Sequence, residues 1–252
     1  MNELHKTTEG EMTEIPNYIN HIFDTFFELR GDRKSGDDDM VVGGLARIDG
    51  EKVIVIDYQG QKNGDHIKLP NSEGYRKSLR LIELAKTFGK PIVIIVDIPK
   101  FQITSSPNQQ RTDEALARVQ EAMLNLNTPI IAIIAGKNNS AFSFELCVAD
   151  RILAIDQAKF VVATQKKSAH KNISLPKAKQ MDVQKLLELR LIDRIITNQE
   201  NKSSVSKSES WQKIIKDELQ KITHLDSEKL IEQRLDRLQT RFFSLKSIVS
   251  EI

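Results

Sequence analysis

The sequence predicts an α/β protein in which helices cover a largely parallel sheet. Segments with the length and composition of strands alternate along the chain with amphipathic helical segments, an order typical of parallel strands joined by crossover helices. Two of the strand segments, Ile92–Val96 and Ile130–Ala135, are apolar at every position. Such unbroken apolar runs are typical of strands that are buried on both faces, as in a parallel sheet.

The composition excludes several classes of protein. The 252 residues are 39% apolar and 29% charged, which supplies a sizeable core and excludes a disordered chain. A net charge of +2 is too balanced for a dedicated nucleic-acid binder. No apolar run approaches the roughly 18 residues of a membrane span, and Met1–Pro16 lacks the features of a secretion signal. With Cys147 as the only cysteine, we expect a cytoplasmic protein without disulfides or a cysteine zinc site.

Local signals define the elements of the first half. Asp49-Gly50 between two β-branched runs predicts a hairpin, and Gly89-Lys90-Pro91 predicts the end of a helix that Ser72 begins as its cap. The predicted elements, in order, are a helix over Tyr18–Leu29, strands over Met40–Ile48 and Lys52–Tyr58, a polar loop over Gln59–Asn71 and a helix over Glu73–Phe88.

The second half continues the alternation and ends in helices. A Ser- and Lys-rich stretch over residues 199–208 predicts a linker before two closing helices, of which the last is expected to turn Leu230, Leu235 and Leu238 inward. The predicted elements, in order, are the strand Ile92–Val96, a loop over Ile98–Gln110, the helix Asp113–Leu126, the strand Ile130–Ala135, a loop over Gly136–Asn139, the helix Ser140–Val148, the strands Arg151–Ile155 and Lys159–Val162, the helix Met181–Leu189, the strand Leu191–Ile196, and the helices Ser210–Lys221 and Ser227–Ser244.

Five blocks of the sequence resemble one known family. They are Gly31-Asp32-Arg33, Asp37-Asp38-Asp39, Val42–Gly50, Glu73–Leu81 and Leu189–Ile196. In order and spacing these blocks are similar to the alpha subunit of bacterial acetyl-CoA carboxylase carboxyltransferase, from about Tyr18 to Leu245. The resemblance implies a crotonase-like (ClpP/crotonase) α/β fold, a superhelix of repeated ββα units followed by C-terminal helices. The expected domains are a frayed N-terminus over residues 1–17, the crotonase-like domain over 18–198, the linker over 199–208 and the C-terminal helices over 209–252.

The resemblance also implies a reaction and partners. The alpha subunits of this family pair with a zinc-bearing beta subunit, and an α2β2 complex is expected here. The complex moves a carboxyl group from carboxybiotin on a biotin carboxyl carrier protein to acetyl-CoA, which gives malonyl-CoA for fatty acid synthesis. No cofactor is expected to be bound covalently to this chain, zinc is expected only on the beta subunit, and neither nucleic acid nor membrane is an expected partner.

The expected site residues follow from the same resemblance. In the family, backbone N–H groups of a glycine-rich loop after a buried strand stabilise the charge that develops on the reacting oxygens. Gly136 and Ser140 match that loop, whereas its glycine pairs are replaced, so the backbone N–H groups of Ala141 and Phe142 are the expected catalytic donors. Gly136, Ser140, Lys100 and Arg76 are the expected substrate-binding residues. For Arg76 a CoA phosphate is the expected ligand, although basic residues in the first turn of a helix are more often solvated.

The altered loops leave three interpretations open. A second glycine-rich loop of the family is replaced here by Lys100–Ser106, and Val162–Lys179 is shorter than the family's segment. The chain is therefore either an active alpha-type subunit, a catalytically degenerate scaffold or regulatory partner of a beta-type subunit, or another crotonase-like acyl-CoA protein. Malonyl-CoA formation by a complex with a beta-type subunit would indicate the active subunit, and a well-formed complex without it would indicate the scaffold. Turnover of an acyl-CoA by the single chain would indicate the third interpretation.

Overall fold

Seven strands form the central sheet of this protein, for which a computed structural model describes residues 18–63, 66–98, 109–136, 139–163, 178–197 and 207–250. The described strands are β1 (Thr25–Glu28), β2 (Val41–Ile48), β3 (Glu51–Gln59), β4 (Gln61–Asn63), β5 (His66–Lys68), β6 (Ile92–Asp97), β7 (Ile130–Ile134), β8 (Asn139–Ser140), β9 (Arg151–Ile155), β10 (Lys159–Ala163), β11 (Ala178–Asp182) and β12 (Arg194–Ile196). The described α-helices are α1 (Tyr18–Ile22), α2 (Ser72–Phe88), α3 (Gln109–Leu124), α4 (Val183–Glu188), α5 (Lys207–Thr223) and α6 (Ser227–Ser250).

The central sheet is parallel except at one end. Its strand order is β1-β2-β3-β6-β7-β9-β12, and the strands from β3 to β12 run parallel. The antiparallel strands β1 and β2 complete the sheet beside β3. A small sheet of order β11-β10-β8 and the hairpin β4–β5 lie outside it. The predicted parallel sheet and its unbroken apolar strands are thus confirmed.

Helices bury both faces of the central sheet. On one face α2, α3 and α4 pack against the alternate strand residues that include Ile54, Ile94 and Ala132. On the other face α1 and α5 pack against the intervening residues, which include Val55 and Ile95. Each face therefore removes a continuous apolar surface from water, which is the main stabilising contribution to such a fold.

Local sequence signals account for the hairpin and for the helix that follows it. Asp49 and Gly50 both have positive φ angles, 47° and 82°, as a two-residue hairpin turn requires. The cap of α2 is Asn71, one residue before the predicted Ser72, because the Asn71 side chain accepts hydrogen bonds from the backbone N–H groups of Glu73 and Gly74. Gly89 ends α2 in the left-handed conformation, as predicted.

Three predicted elements are wrong in their type. Only Tyr18–Ile22 of the predicted helix Tyr18–Leu29 is helical, because Thr25–Glu28 pairs with β2 as an edge strand. The predicted loop Gln59–Asn71 contains the β4–β5 hairpin. Within the predicted helix Ser140–Val148, Ser140 belongs to β8 and only Ala141–Phe144 is helical, as one 3-10 turn. After the exposed Glu145, the five consecutive residues Leu146–Asp150 are all buried, a pattern that a one-sided helix cannot satisfy.

The boundaries of later elements also differ from the prediction. Met181 lies in β11 rather than in a helix, and Asp182 caps the shorter α4 by accepting a hydrogen bond from the Lys185 N–H at 2.8 Å. The next strand begins at Arg194 rather than at Leu191, since Asp193 is held outside it by bonds to other parts of the chain. Helix α5 begins within the predicted linker, at Lys207, whereas residues 198–206 lie outside the described part.

The last helix packs through arginines as well as leucines. Of the leucines expected to face inward, Leu230 is buried but Leu235 is exposed. Arg234 is instead fully buried, where its guanidinium binds the Asp150 carboxylate at 2.8 and 2.9 Å and the carbonyl oxygens of Met123, Leu126 and Thr128 at 2.6 to 3.0 Å. The inward face of α6 thus combines the apolar contact of Leu230 with charged contacts to loops at the edge of the core.

We predict that Arg234→Ala destabilises the protein by about 3–5 kcal/mol, because the substitution leaves the buried Asp150 carboxylate without its cation. Urea unfolding of the two proteins measures this difference. Gln233→Ala, on the exposed side of the same helix, is the control and should change stability by less than about 0.5 kcal/mol. A loss for Arg234→Ala no larger than that of the control would contradict the prediction.

Candidate active site

The carboxyl ends of β3, β6 and β7 form the edge of the sheet where the expected site residues lie. Loops leave these neighbouring strands at Gly60, Ile98 and Ala135. The Gly60 N–H donates to the Asp97 carbonyl, and the Ala135 N–H donates to the Val96 carbonyl, each at 2.9 Å. Because ligands of open parallel sheets bind outside this edge, it is the candidate active site.

The loop after β7 brings together most of the expected site residues. Gly136 is buried directly after the strand, and Ser140 pairs with Val161 of β10. Ala141 and Phe142 are the first two residues of the 3-10 helix. The first N–H groups of any helix have no partner within that helix, so this is a position from which a donor can reach a ligand.

Aromatic packing holds the 3-10 helix in place. The rings of Phe144 and Phe160 have centroids 4.6 Å apart, and both side chains are buried. Gln120 of α3 donates a hydrogen bond to the Glu145 carbonyl just after the turn. Fixed contacts of this kind keep the backbone of the turn from moving, which a preorganised donor site requires.

Some expected residues lie outside the described part of the chain. Lys100 lies within residues 99–108, which the structure does not describe. The shortened segment Val162–Lys179 lies largely within residues 164–177, which are also not described. The side chains of Ser140, Ala141 and Phe142 are also outside the description. The orientation of the Phe142 ring, and a substrate contact of Lys100, therefore stay predictions.

Arg76 is bonded within the protein. Its guanidinium donates hydrogen bonds to Asp32 at 2.8 Å, to Glu73 at 2.8 Å and to the Ser35 hydroxyl at 2.7 Å. These bonds attach α2 to the loop before β2, where backbone N–H groups and Arg76 hold the pKa of Asp32 well below its usual range despite partial desolvation. A substrate role for Arg76 stays a prediction, and it would require the guanidinium to exchange some of these contacts.

Two carboxyl groups at the candidate edge were not identified from the sequence. Asp57 near the end of β3 and Asp97 at the end of β6 point to the same face of the sheet. Asp57 is 2% exposed, and its Oδ2 accepts a hydrogen bond from the Gln59 amide at 2.7 Å, whereas its buried Oδ1 has no partner among the described residues. A charged residue interrupting the end of an apolar strand is the sequence signal that could have identified this pair.

Burial changes the protonation of this cluster. Desolvation raises the pKa of Asp57 to about 7, the Gln59 hydrogen bond opposes the rise, and the nearby Asp97 adds to it. The pKa of Asp97 is also raised by burial. Tyr18 lies close to these two carboxyl groups, and its hydroxyl donates a hydrogen bond to the Ala135 carbonyl at 3.3 Å. Burial raises the pKa of the Tyr18 hydroxyl, and the negative charges of Asp97 and Asp57 add to the rise. With a pKa of about 7, the Asp57 carboxyl is only partly ionised near neutral pH.

Other chemistries have little support in the described residues. Burial raises the pKa of the Cys147 thiol to about 12, so this cysteine is not a nucleophile near neutral pH. Across the described ranges, no group of three or more His, Cys, Asp or Glu side chains is placed to hold a metal ion. None of the helices described is both long enough and apolar enough to span a membrane.

Comparison with known proteins identifies the family. The family described as acetyl co-enzyme A carboxylase carboxyltransferase-like matches residues 8–241. The chain belongs to the acetyl-CoA carboxylase carboxyltransferase family. The acetyl-coenzyme A carboxylase carboxyl transferase subunit alpha of Photorhabdus laumondii is 34% identical over 238 residues, which are 88% of this chain and 74% of that protein. The subunit of the same name from Geobacter metallireducens is 36% identical over 191 residues, 71% of this chain and 60% of that protein. Within the acetyl-CoA carboxylase carboxyltransferase family, the chain is an alpha-type subunit.

Two solved structures share the fold of this chain. The Pseudomonas malonate decarboxylase MdcD-MdcE hetero-dimer is similar with a TM-score of 0.56 and 14% identity, over 80% of this chain and 85% of that chain. Transcarboxylase 12S is similar with a TM-score of 0.52 and 16% identity, over 79% of this chain and 38% of that chain. At such low identity the likeness concerns the fold alone, and it confirms the predicted crotonase-like α/β fold.

We predict that Asp57→Asn stabilises the protein at pH 8 and changes it little at pH 4. Because the pKa of Asp57 is raised to about 7, its contribution to stability is fully present below its unfolded pKa near 4 and is lost as the pH rises through 7. Asparagine avoids this loss, and the gain at pH 8 is at most about 4 kcal/mol.

Urea unfolding at pH 4, 6 and 8 measures this effect. The control is Asp236→Asn, which neutralises an exposed carboxylate on α6. If Asp57→Asn and the wild-type protein differ by the same free energy at all three pH values, then the buried carboxyl does not titrate as described.

Proposed function

We propose that this chain is the alpha-type subunit of a carboxyltransferase that moves a carboxyl group from carboxybiotin on a carrier protein to acetyl-CoA, giving malonyl-CoA for fatty acid synthesis. The observation that carries the proposal is the match to carboxyl transferase alpha subunits, which extends over 88% of the chain at 34% identity. The match includes the strands and the loop that form the candidate edge. The retained scaffold and loop position support the same activity.

The reaction requires stabilisation of negative charge on two oxygens. The bond between the carboxyl group and the biotin ureido nitrogen breaks, and a bond forms from that carboxyl group to the methyl carbon of acetyl-CoA. The methyl group loses one proton, and the ureido nitrogen gains one. Charge develops on the ureido and thioester oxygens, and backbone N–H groups fixed at these positions stabilise it more than mobile water does.

The backbone N–H groups of Ala141 and Phe142 are the proposed donors on this chain. Both residues open the 3-10 helix, and the pairing of Ser140 with Val161 fixes the chain immediately before them. Gly136, Ser140 and Lys100 are the proposed substrate-binding residues of this chain. Asp57 and Asp97 lie beside the same edge, where burial raises the pKa of both carboxyl groups.

A beta-type subunit is the proposed partner. We propose an α2β2 complex that accepts the biotin carboxyl carrier protein, with zinc on the beta-type subunit, since one cysteine and five histidines do not supply a zinc ribbon. The C-terminal helices are one proposed contact surface. Helix α6 presents Leu235, Phe242 and Phe243 to solvent, an exposed apolar set that a subunit contact would bury.

We predict that Ala141→Pro lowers malonyl-CoA turnover by about a hundred- to a thousand-fold, because proline removes one N–H donor from the proposed site. Proline is tolerated at the first position of a helix, so the fold should persist. Ala141→Gly, which keeps the N–H group and removes only the methyl group, is the matched control and should keep or raise turnover. The assay uses the complex with a beta-type subunit and carboxybiotin.

Three outcomes would contradict the proposal in different ways. Equal turnover by the proline and glycine variants would exclude the Ala141 N–H group as a donor. A well-formed complex without malonyl-CoA turnover would indicate a non-catalytic partner of the beta-type subunit. Turnover of an acyl-CoA by the single chain would indicate another crotonase-like enzyme.

A further inference from the structure

An apolar groove lies at the antiparallel end of the central sheet, next to the amino ends of β3 and β6 and away from the candidate active site. The groove has a volume of about 520 Å³ and is lined by β1, β2, the start of β3 and the last turns of α2. We call it the edge groove, and its apolar lining includes Phe27, Leu45, Ile54, Leu84 and Phe88.

The edge groove exists because α2 is too short to cover the whole sheet. Phe27, Leu45 and Ile54 lie side by side on three paired strands, and α2 ends at Phe88 beside them. Phe27 is 66% exposed, Leu45 is 43% exposed and Phe88 is 62% exposed. Clustered exposed apolar side chains of this size mark interaction sites more often than ordinary surface.

Positive charge surrounds the edge groove. Arg47, Lys52 and Lys90 all line it, and none of them forms an ion pair with any described residue. A second copy of this chain would bring three like charges against these three, which costs free energy. The charge therefore favours a partner that carries carboxylates.

The strand beside the groove has an open side. β1 pairs with β2, and no described strand pairs with its other side. An edge strand offers backbone N–H and C=O groups to an added strand, and a groove beside it accommodates alternate side chains of that strand. The edge groove thus combines backbone, apolar and ionic recognition of one extended segment.

We propose that the edge groove binds an extended segment of the beta-type partner subunit that carries apolar side chains and carboxylates on the same face, because Phe27, Leu45, Arg47 and Lys52 share one face of the sheet. This inference rests on the proposed function, which supplies the beta-type subunit, but it concerns a surface remote from the candidate active site. The segment lies along β1, where side chains at every second position face the groove; apolar ones cover Phe27 and Leu45, and carboxylates extend towards Arg47 and Lys52.

The test measures the affinity of the purified chain for the beta-type subunit of the same organism. Phe27→Asp should weaken binding by at least about tenfold, because it places a charge in the apolar centre of the contact. The conservative variant Phe27→Leu should retain affinity within about threefold. The two proteins should show the same far-ultraviolet circular dichroism, since residue 27 is exposed.

A charge variant provides a second, independent readout. Lys52→Glu should slow association and reduce the dependence of the association rate on salt, because it removes attraction at the rim of the contact. Lys213→Glu on α5, an exposed lysine far from the groove in sequence, is its matched control and should change the rate less.

The outcomes separate this inference from the proposed function. If wild-type and variant chains bind the beta-type subunit equally well and the complex makes malonyl-CoA, the inference is overturned and the proposed function stands. If Phe27→Asp instead abolishes self-association of the isolated chain, the occupant is a second copy and the inference is overturned. If the wild-type chain binds no beta-type subunit, both fail.

Discussion

The buried guanidinium of Arg234 joins parts of the chain that would otherwise have no common support. It connects α6 to the end of α3 through the Met123 carbonyl, and to the turn before β9 through Asp150. Asp150 in turn accepts a hydrogen bond from the Ile130 N–H at 2.7 Å, at the start of β7. Since β7 leads directly into the loop that contains Gly136, the position of the candidate active site depends on this contact with the last helix. An isolated charge in such a place would be costly, and the Asp150 carboxylate and three carbonyl oxygens around the guanidinium offset that cost.

Elements governed by local rules were predictable, and elements governed by distant partners were not. The Asp49-Gly50 hairpin follows from the φ angles that a two-residue turn demands, and β6 and β7 follow from unbroken apolar runs. The short strand β1 depends on pairing with β2, which its own residues do not reveal. On α6 the prediction is confirmed for Leu230 and wrong for Leu235, and Arg234 was missed because an arginine faces inward only where a buried aspartate meets it.

The candidate site was predictable in its backbone and less so in its side chains. The resemblance placed Gly136, Ser140, Ala141 and Phe142 on one loop, and the structure puts that loop at the carboxyl edge of the parallel sheet. Asp57 was missed, because residue type alone does not show that a carboxylate is buried without a full set of partners. Its raised pKa arises from desolvation, a property of the packed fold that no spacing in the sequence encodes.

Replacement of the family's glycines reduces the space for a ligand beside the backbone, but it does not remove backbone N–H donors. Every residue except proline carries a backbone N–H group, so Ala141 and Phe142 offer the same donors that glycines would. The loop over Gly136–Asn139 is also held by β7 before it and by the pairing of Ser140 with β10 after it. What glycine adds is the absence of a Cβ atom, which lets a ligand approach the backbone closely. In the proposed mechanism, the replaced glycines therefore impose a steric condition: the Phe142 side chain has to leave room for a ligand oxygen beside its own N–H group.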